Sequence, residues 1–97
     1  MDKDIMQELI KFRTDRGWDK YHNLKDLALS VSIEASEILE LFQWKPELDY
    51  KNIEDLKEEI ADTMIYLLYM CDKLNVDPNE IILNKIQKNQ KRSWNFD

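Results

Sequence analysis

The stretch LKDLALSVSIEASEILELFQW, residues 24–44, combines a long apolar helix pattern with acids that buried helices normally exclude. At 100° per residue, its apolar side chains gather on two arcs of a helical wheel. Glu34 and Glu37 fall between those arcs, not on an open polar face. Glu40 follows at the same spacing, beside Ile33, and the pattern assigns it no role. Charges placed among apolar residues indicate that something pairs with them or binds them.

The rest of the chain also has the composition of a helical protein. One glycine and two prolines among 97 residues leave few positions for turns, and no strand pattern of any length occurs. We expect a single domain, residues 1–97, with an all-α fold. Four helices are predicted, at about 4–15, 24–44, 53–74 and 78–91, with Asn23 and Asp77 as N-caps, Pro78 at a first helical position and Gly17 after the first helix.

Charge and cysteine usage exclude several classes of function. The formal net charge of −6 disfavours binding to a nucleic-acid polymer. Cys71 is the only cysteine, so no intrachain disulfide can form, and we expect a reducing, cytoplasmic location. No apolar run approaches 18 residues and the first residues lack a signal-peptide pattern, so no membrane association is expected.

The third predicted helix repeats the anatomy of the second. Glu59 and Asp62 lie one turn apart on one face, between apolar residues, as Glu34 and Glu37 do. Four carboxylates facing one another would repel strongly unless cations held them together. Oxygen-only ligands favour Mg²⁺, with Mn²⁺ as a possible substitute, whereas a di-iron site would need Glu-x-x-His pairs, and the single histidine, His22, lies in a loop. The alternative is that both pairs are ordinary solvated acids.

Several segments together resemble the MazG-like, all-α nucleoside triphosphate pyrophosphohydrolases, and most closely their dCTP pyrophosphatase branch. EASE at 34–37 and EIAD at 59–62 are similar to the family's ExxE…ExxD signature. The stretch from Arg16 to Lys45 is similar to that branch's Trp-Asp-x-aromatic-His loop and its following helix, which ends in Phe-Gln-Trp. KIQKNQKR, residues 85–92, resembles the family's Lys-x-x-x-Asn-x-x-Arg segment. Ile33 stands where many members carry a second glutamate.

The resemblance implies a reaction, in which a nucleoside triphosphate and water give the monophosphate and pyrophosphate. It implies metal ligands at Glu34, Glu37, Glu59 and Asp62, with Glu37 or Glu34 as the base that takes a proton from water. The nucleotide would be dCTP or a modified pyrimidine nucleotide.

Further residues are candidates for holding the substrate. Lys85, Asn89 and Arg92 share a helix face and would contact phosphates, although basic residues also complement a helix C-terminus. Trp18 and Trp44 could stack on the base, or pack at helix ends. Two more residues could line the same pocket, Tyr66 and His22, and for His22 a role in capping the loop is an equal alternative.

Apolar arcs on more than one side of two helices predict an oligomer. A chain of 97 residues cannot cover all of these arcs alone, so we expect the bundle to be completed in a homodimer or homotetramer. The same feature supports an alternative function, a non-catalytic helical oligomerisation or regulatory module.

Overall fold

The computed structural model describes residues 3–43 and 47–91. Four helices contain most of them, namely α1 (Lys3–Asp15), α2 (Leu24–Glu40), α3 (Ile53–Leu74) and α4 (Pro78–Lys91). Short 3-10 turns at Asp19–Tyr21 and Tyr50–Asn52 precede α2 and α3. The described residues contain no strand, which confirms the predicted all-α class. None of their helices is long and apolar enough to cross a membrane.

The caps that the sequence predicts are present at three helix ends. The Asn23 side chain accepts a hydrogen bond from the Asp26 backbone N–H at 2.8 Å, which begins α2. Asp77 accepts one from the Asn79 N–H at 2.9 Å and so caps α4 ahead of Pro78. Gly17 has a φ of 67°, a left-handed conformation that glycine adopts without strain, and it ends α1.

The predicted end of α2 near Trp44 was wrong. The helix ends at Glu40, and the next three residues form turns in which each backbone N–H bonds the carbonyl three residues earlier, at 3.0–3.2 Å. Such bonds tighten a last helical turn, and a chain that approaches a proline leaves the helical conformation before it. Trp44 itself lies outside the described residues.

The helices α2 and α3 form the main packed pair of the molecule. Glu37 interacts with Glu59, while Glu34 lies beside Asp62 and Tyr66, so the two helices run antiparallel. The antiparallel packing brings the two acid pairs to the same level, because later residues of α2 lie beside earlier residues of α3.

A polar contact fixes α1 against the second half of α3. The Arg13 side chain, 9% exposed, donates to Asp72 Oδ2 at 2.7 Å, and its guanidinium lies 5.2 Å from the centre of the Tyr69 ring. The Tyr69 hydroxyl donates to the Leu9 carbonyl at 2.9 Å. Residues 9 and 13 therefore meet residues 69 and 72, so α1 runs parallel to α3.

The opposite side of α3 is open, which corrects the predicted core of this helix. The sequence assigns its core stripe to residues such as Ile60, Met64 and Leu67, but these are 43–45% exposed, whereas Leu68 and Tyr69 are buried. Tyr69 is buried against α1, a contact that a helical wheel does not contain. Met64 and Leu67 instead belong to one wall of an apolar groove of about 380 Å³ between α3 and the start of α4.

The helix α4 packs only loosely on the rest of the described chain. Its apolar residues are 44–60% exposed, namely Ile81, Ile82, Leu83 and Ile86. The radius of gyration is 16.2 Å, compared with about 12.5 Å for a compact domain of this length. The single chain is thus an open set of helices, not a closed four-helix bundle.

Candidate functional site

Three carboxylates from α2 and α3 converge at one point. Glu34, Glu59 and Asp62 each offer an oxygen atom, and these atoms lie within 4.8 Å of one another. Glu59 and Asp62 lie one helical turn apart on α3, and the antiparallel packing of α2 brings Glu34 between them. Glu34 and Glu59 are half-buried and Asp62 is exposed, so the cluster is open on one side.

The fourth predicted ligand, Glu37, belongs to the same cluster. A hydrogen-bonding interaction with Glu59 and the charge of that residue raise the pKa of Glu37 above its ordinary value. The pKa of Glu59 is raised as well, first through its hydrogen-bonding interaction with Glu34. Carboxyl groups this close compete for the available protons, because each one disfavours the ionised form of the next. The structure therefore brings together all four acids that the sequence singles out.

The donor atoms suit a hard divalent cation. The Oε2 atoms of Glu34 and Glu59 are both shielded from solvent, and neither of these two atoms accepts a hydrogen bond from a donor group among the described residues. Buried carboxylate oxygens without partners are costly, and a cation beside them removes that cost. Carboxylate oxygens are hard ligands, which Mg²⁺ and Mn²⁺ prefer to nitrogen or sulfur. The residues present thus fit such an ion.

An aromatic cavity of about 470 Å³ opens beside the acids. Asp62 and Tyr66 belong to its lining, so it is continuous with the carboxylate cluster. Its other walls come from α1, the loop after it and the rest of α3, through Glu8, Leu9, Phe12, Trp18, His22, Ile65 and Tyr69. Burial, followed by the charges of Glu34 and Asp62, raises the pKa of Tyr66, which therefore keeps its hydroxyl proton beside the acids.

The aromatic rings around this cavity are in contact with one another. Phe12 and Trp18 meet edge to face with centroids 5.3 Å apart, and His22 lies 5.1 Å from Tyr69 and 6.1 Å from Trp18. Burial lowers the pKa of His22, and the positive charges of Arg13 and Lys73 lower it further. His22 is therefore neutral at pH 7, and its Nδ1 is buried without a hydrogen-bond partner among the described residues. An aromatic cavity with one polar ring nitrogen has the character of a site for a heterocycle.

Two of the three predicted phosphate-contacting residues lie among the described residues, and the structure does not bring these two into the cavity. Lys85 and Asn89 lie on α4, and neither lines the aromatic cavity. Arg92 and Trp44 lie outside the described residues.

Sequence reasoning missed the contribution of α1 to the cavity. The helical spacing places Leu9 and Phe12 on the apolar stripe of the first helix, and it gives Glu8 no role. The signal that could have found them is the pairing of Arg13 with Asp72, because an arginine in an apolar helix face needs an acid partner, and that partner fixes which side of α1 faces α3.

Comparison with known proteins gives one family. The sequence model of the MazG-like family matches residues 29–95. dCTP pyrophosphatase 1 from Bos taurus is 31% identical, and that from Homo sapiens is 30% identical, over 93% of this chain. The chain spans 57% of the length of these relatives. A solved structure of a pyrophosphatase from Archaeoglobus fulgidus is 42% identical, with a TM-score of 0.82 over 92% of this chain and 88% of the other.

Proposed function

We propose that this chain, which belongs to the MazG-like family, hydrolyses a nucleoside triphosphate to the monophosphate and pyrophosphate with the help of Mg²⁺. The observation that carries the proposal is the continuity of the two halves of the site. A cluster of carboxylates suited to a cation opens into an aromatic cavity through a shared residue, Asp62. A nucleotide needs both halves, one for its phosphates and one for its base. Because relatives are dCTP pyrophosphatases, a deoxycytidine or modified pyrimidine nucleotide is the proposed substrate.

Glu34, Glu59 and Asp62 would hold the metal ion, with Glu37 beside them. When bound, Mg²⁺ neutralises charge on the phosphates and on the departing pyrophosphate. The protein itself carries a net charge of −6 and has four acids at this point, so its own side chains would repel a triphosphate. The acids thus make binding of the nucleotide dependent on the cation.

Glu37 is the proposed general base, and Glu34 is the alternative. Glu37 lies beside the three converging carboxylates and is not one of them, which leaves its oxygen atoms available to accept a proton. It would take a proton from a water molecule whose oxygen attacks the α-phosphorus. The bond between that phosphorus and the oxygen bridging to the β-phosphate breaks, and pyrophosphate leaves with the bonding electrons.

The base would lie in the aromatic cavity between Trp18 and Tyr66, with the neutral His22 available for a hydrogen bond. A stacking role for Trp44, which lies outside the described residues, stays a prediction from the sequence.

A homodimer or homotetramer is the proposed assembly. The apolar groove between α3 and α4 and the exposed residues of α4 form a surface that monomeric proteins rarely leave open. A second copy would cover it, and Lys85, Asn89 and Arg92 on or after α4 would then contact phosphates at an acid cluster. The proposed oligomer therefore completes both the core and the site.

The experiment is a panel of ribonucleoside and deoxyribonucleoside triphosphates with Mg²⁺, in which released pyrophosphate is measured. Release from at least one nucleotide, abolished by EDTA, is expected. Absence of turnover across the panel would refute the proposal and favour the non-catalytic module. A module without a nucleotide site would also show no change in melting temperature with Mg²⁺ and nucleotide, whereas a binding site is stabilised by mass action.

A further inference from the structure

One charged residue of the aromatic cavity has no part in the proposed chemistry. Glu8 lines the cavity from α1, and its side chain is exposed to the solvent that would fill the cavity. The match to the MazG-like family begins at residue 29, so α1 lies outside it. Glu8 and Asp62 are the two acids that line the cavity, and they come from different helices.

The contacts between α1 and α3 place Glu8 and Asp62 at different levels of the cavity. The Tyr69 hydroxyl, at the tip of a side chain that reaches toward α1, bonds the Leu9 carbonyl at 2.9 Å, and Arg13 bonds Asp72 at 2.7 Å, so α1 meets the second half of α3. Glu8, the residue before Leu9, therefore lies further along α3 than Asp62, by a part of the roughly 10 Å that a helix rises over the seven residues from Asp62 to Tyr69. The cavity therefore has an Asp62 end, where the carboxylates gather, and a Glu8 end.

A nucleotide can lie between the Asp62 end and the Glu8 end of the cavity in one orientation. Its phosphates would lie at the Asp62 end, where a cation can be held, and its sugar and base would extend toward α1. The rings of Trp18 and Tyr66 line the interval and can hold the faces of a base. The edge of the base that points away from the sugar then meets the Glu8 carboxylate.

A carboxylate distinguishes bases by the groups on that edge. It only accepts hydrogen bonds. Cytosine presents an amino group at N4 and adenine presents one at N6, and both donate. Thymine and uracil present the O4 oxygen at the corresponding position, whose lone pairs would face those of the carboxylate. An ionised glutamate at this end therefore favours bases with an amino group.

We propose that Glu8 is a specificity-determining residue, which selects amino-bearing bases by accepting a hydrogen bond from their exocyclic amino group. The inference rests on the proposed function, because it needs a nucleotide in the cavity with its phosphates at the carboxylate cluster. It goes beyond that function by assigning the choice of base to a residue of α1.

The test is the ratio of kcat/KM for dCTP to that for dUTP, measured for the unaltered chain and for Glu8→Gln. The glutamine amide can turn to offer either its oxygen or its amino group, so the variant should accept both bases. The unaltered chain should prefer dCTP, and Glu8→Gln should reduce the ratio about tenfold, chiefly by improving dUTP. Glu8→Ala should reduce it by weakening dCTP instead.

Asp15→Asn is the matched control, because Asp15 is an exposed acid on α1 that does not line the cavity. It changes the net charge equally and should leave the ratio unaltered. If Glu8→Gln keeps the ratio of the unaltered chain, or if that chain hydrolyses dUTP as well as dCTP, the inference is wrong while the proposed function stands. If no nucleotide is hydrolysed, the proposed function itself is refuted, and the inference about Glu8 with it.

Discussion

The two sides of α3 are incomplete in different ways. On the side that faces α2, carboxylates crowd together and two of their oxygens are buried without hydrogen-bond partners among the described residues. On the side that faces α4, an apolar groove stands open and leucine, methionine and isoleucine side chains are exposed. A cation satisfies unpaired charge, whereas only another apolar surface satisfies exposed hydrocarbon. We therefore propose a cation as the partner of the acid side and a second copy of the chain as the partner of the apolar side.

The largest expected effect comes from removing one charge on the acid side. Glu59→Gln should reduce pyrophosphatase activity by about a hundredfold or more, since it removes a metal ligand from the centre of the cluster. Its melting temperature without Mg²⁺ should stay the same or rise, because the substitution relieves repulsion with Glu34 and Glu37.

Glu54→Gln is the control for that experiment, because Glu54 lies on the same helix and bonds Lys57 at 2.9 Å, away from the cluster. It should keep full activity. Equal losses of activity in both variants would show that the loss does not depend on the acid cluster, which would contradict the proposed metal site.

A charge placed in the apolar groove should act on assembly instead. Ile82→Asp introduces a carboxylate into the groove wall, and burying it against a second copy is unfavourable. Light scattering should show the unaltered chain as an oligomer and this variant as a monomer of 11.8 kDa. Gln87→Asp adds the same charge on α4 outside the groove and should leave the oligomer intact. A monomeric unaltered chain would contradict the role assigned to the apolar side.

Mg²⁺ should stabilise the folded chain through the carboxylates of the acid side. At a concentration a hundred times the dissociation constant, binding adds about 2.7 kcal/mol to the free energy of unfolding, and the melting temperature rises accordingly. Asp62→Asn should lose most of this rise, because it removes one of the three converging ligands. A rise of the same size in that variant would show that Mg²⁺ binds elsewhere.

The smallest expected effect is the pH dependence of stability without metal. The pKa of Glu37 is raised in the folded chain, so folding favours its protonated form, and this stability is lost as the pH rises through the folded value. The contribution of Glu37 to the free energy of unfolding should therefore increase on acidification from neutral pH toward the ordinary pKa of 4.5. His22 acts in the opposite sense, because its lowered pKa costs stability as the pH falls through 6.5.

Comparing variants separates these two contributions. Differential scanning calorimetry of Glu37→Gln should show a smaller gain on acidification than the unaltered chain. His22→Gln should show a larger one, because it removes the opposing term. Identical pH profiles for all three proteins would contradict the crowding of the acids.

The sequence predicts the acid side better than the apolar side, for a physical reason. Caps such as Asn23 are local, and an i,i+3 spacing in a helix determines that Glu59 and Asp62 share a face. The arrangement of α1 depends on a contact across 59 residues, between Arg13 and Asp72, which no local pattern contains. For the same reason the wheel assigned the core of α3 to its open side and overlooked Glu8 in the cavity.

Above all, we propose that the acid cluster and the aromatic cavity together hold a nucleoside triphosphate for attack at its α-phosphorus. Phosphorus NMR of the purified chain with dCTP and Mg²⁺ in ¹⁸O-labelled water tests it most directly. We expect dCMP carrying the label, together with unlabelled pyrophosphate in equal amount. Release of orthophosphate with dCDP, or label in the pyrophosphate, would contradict it.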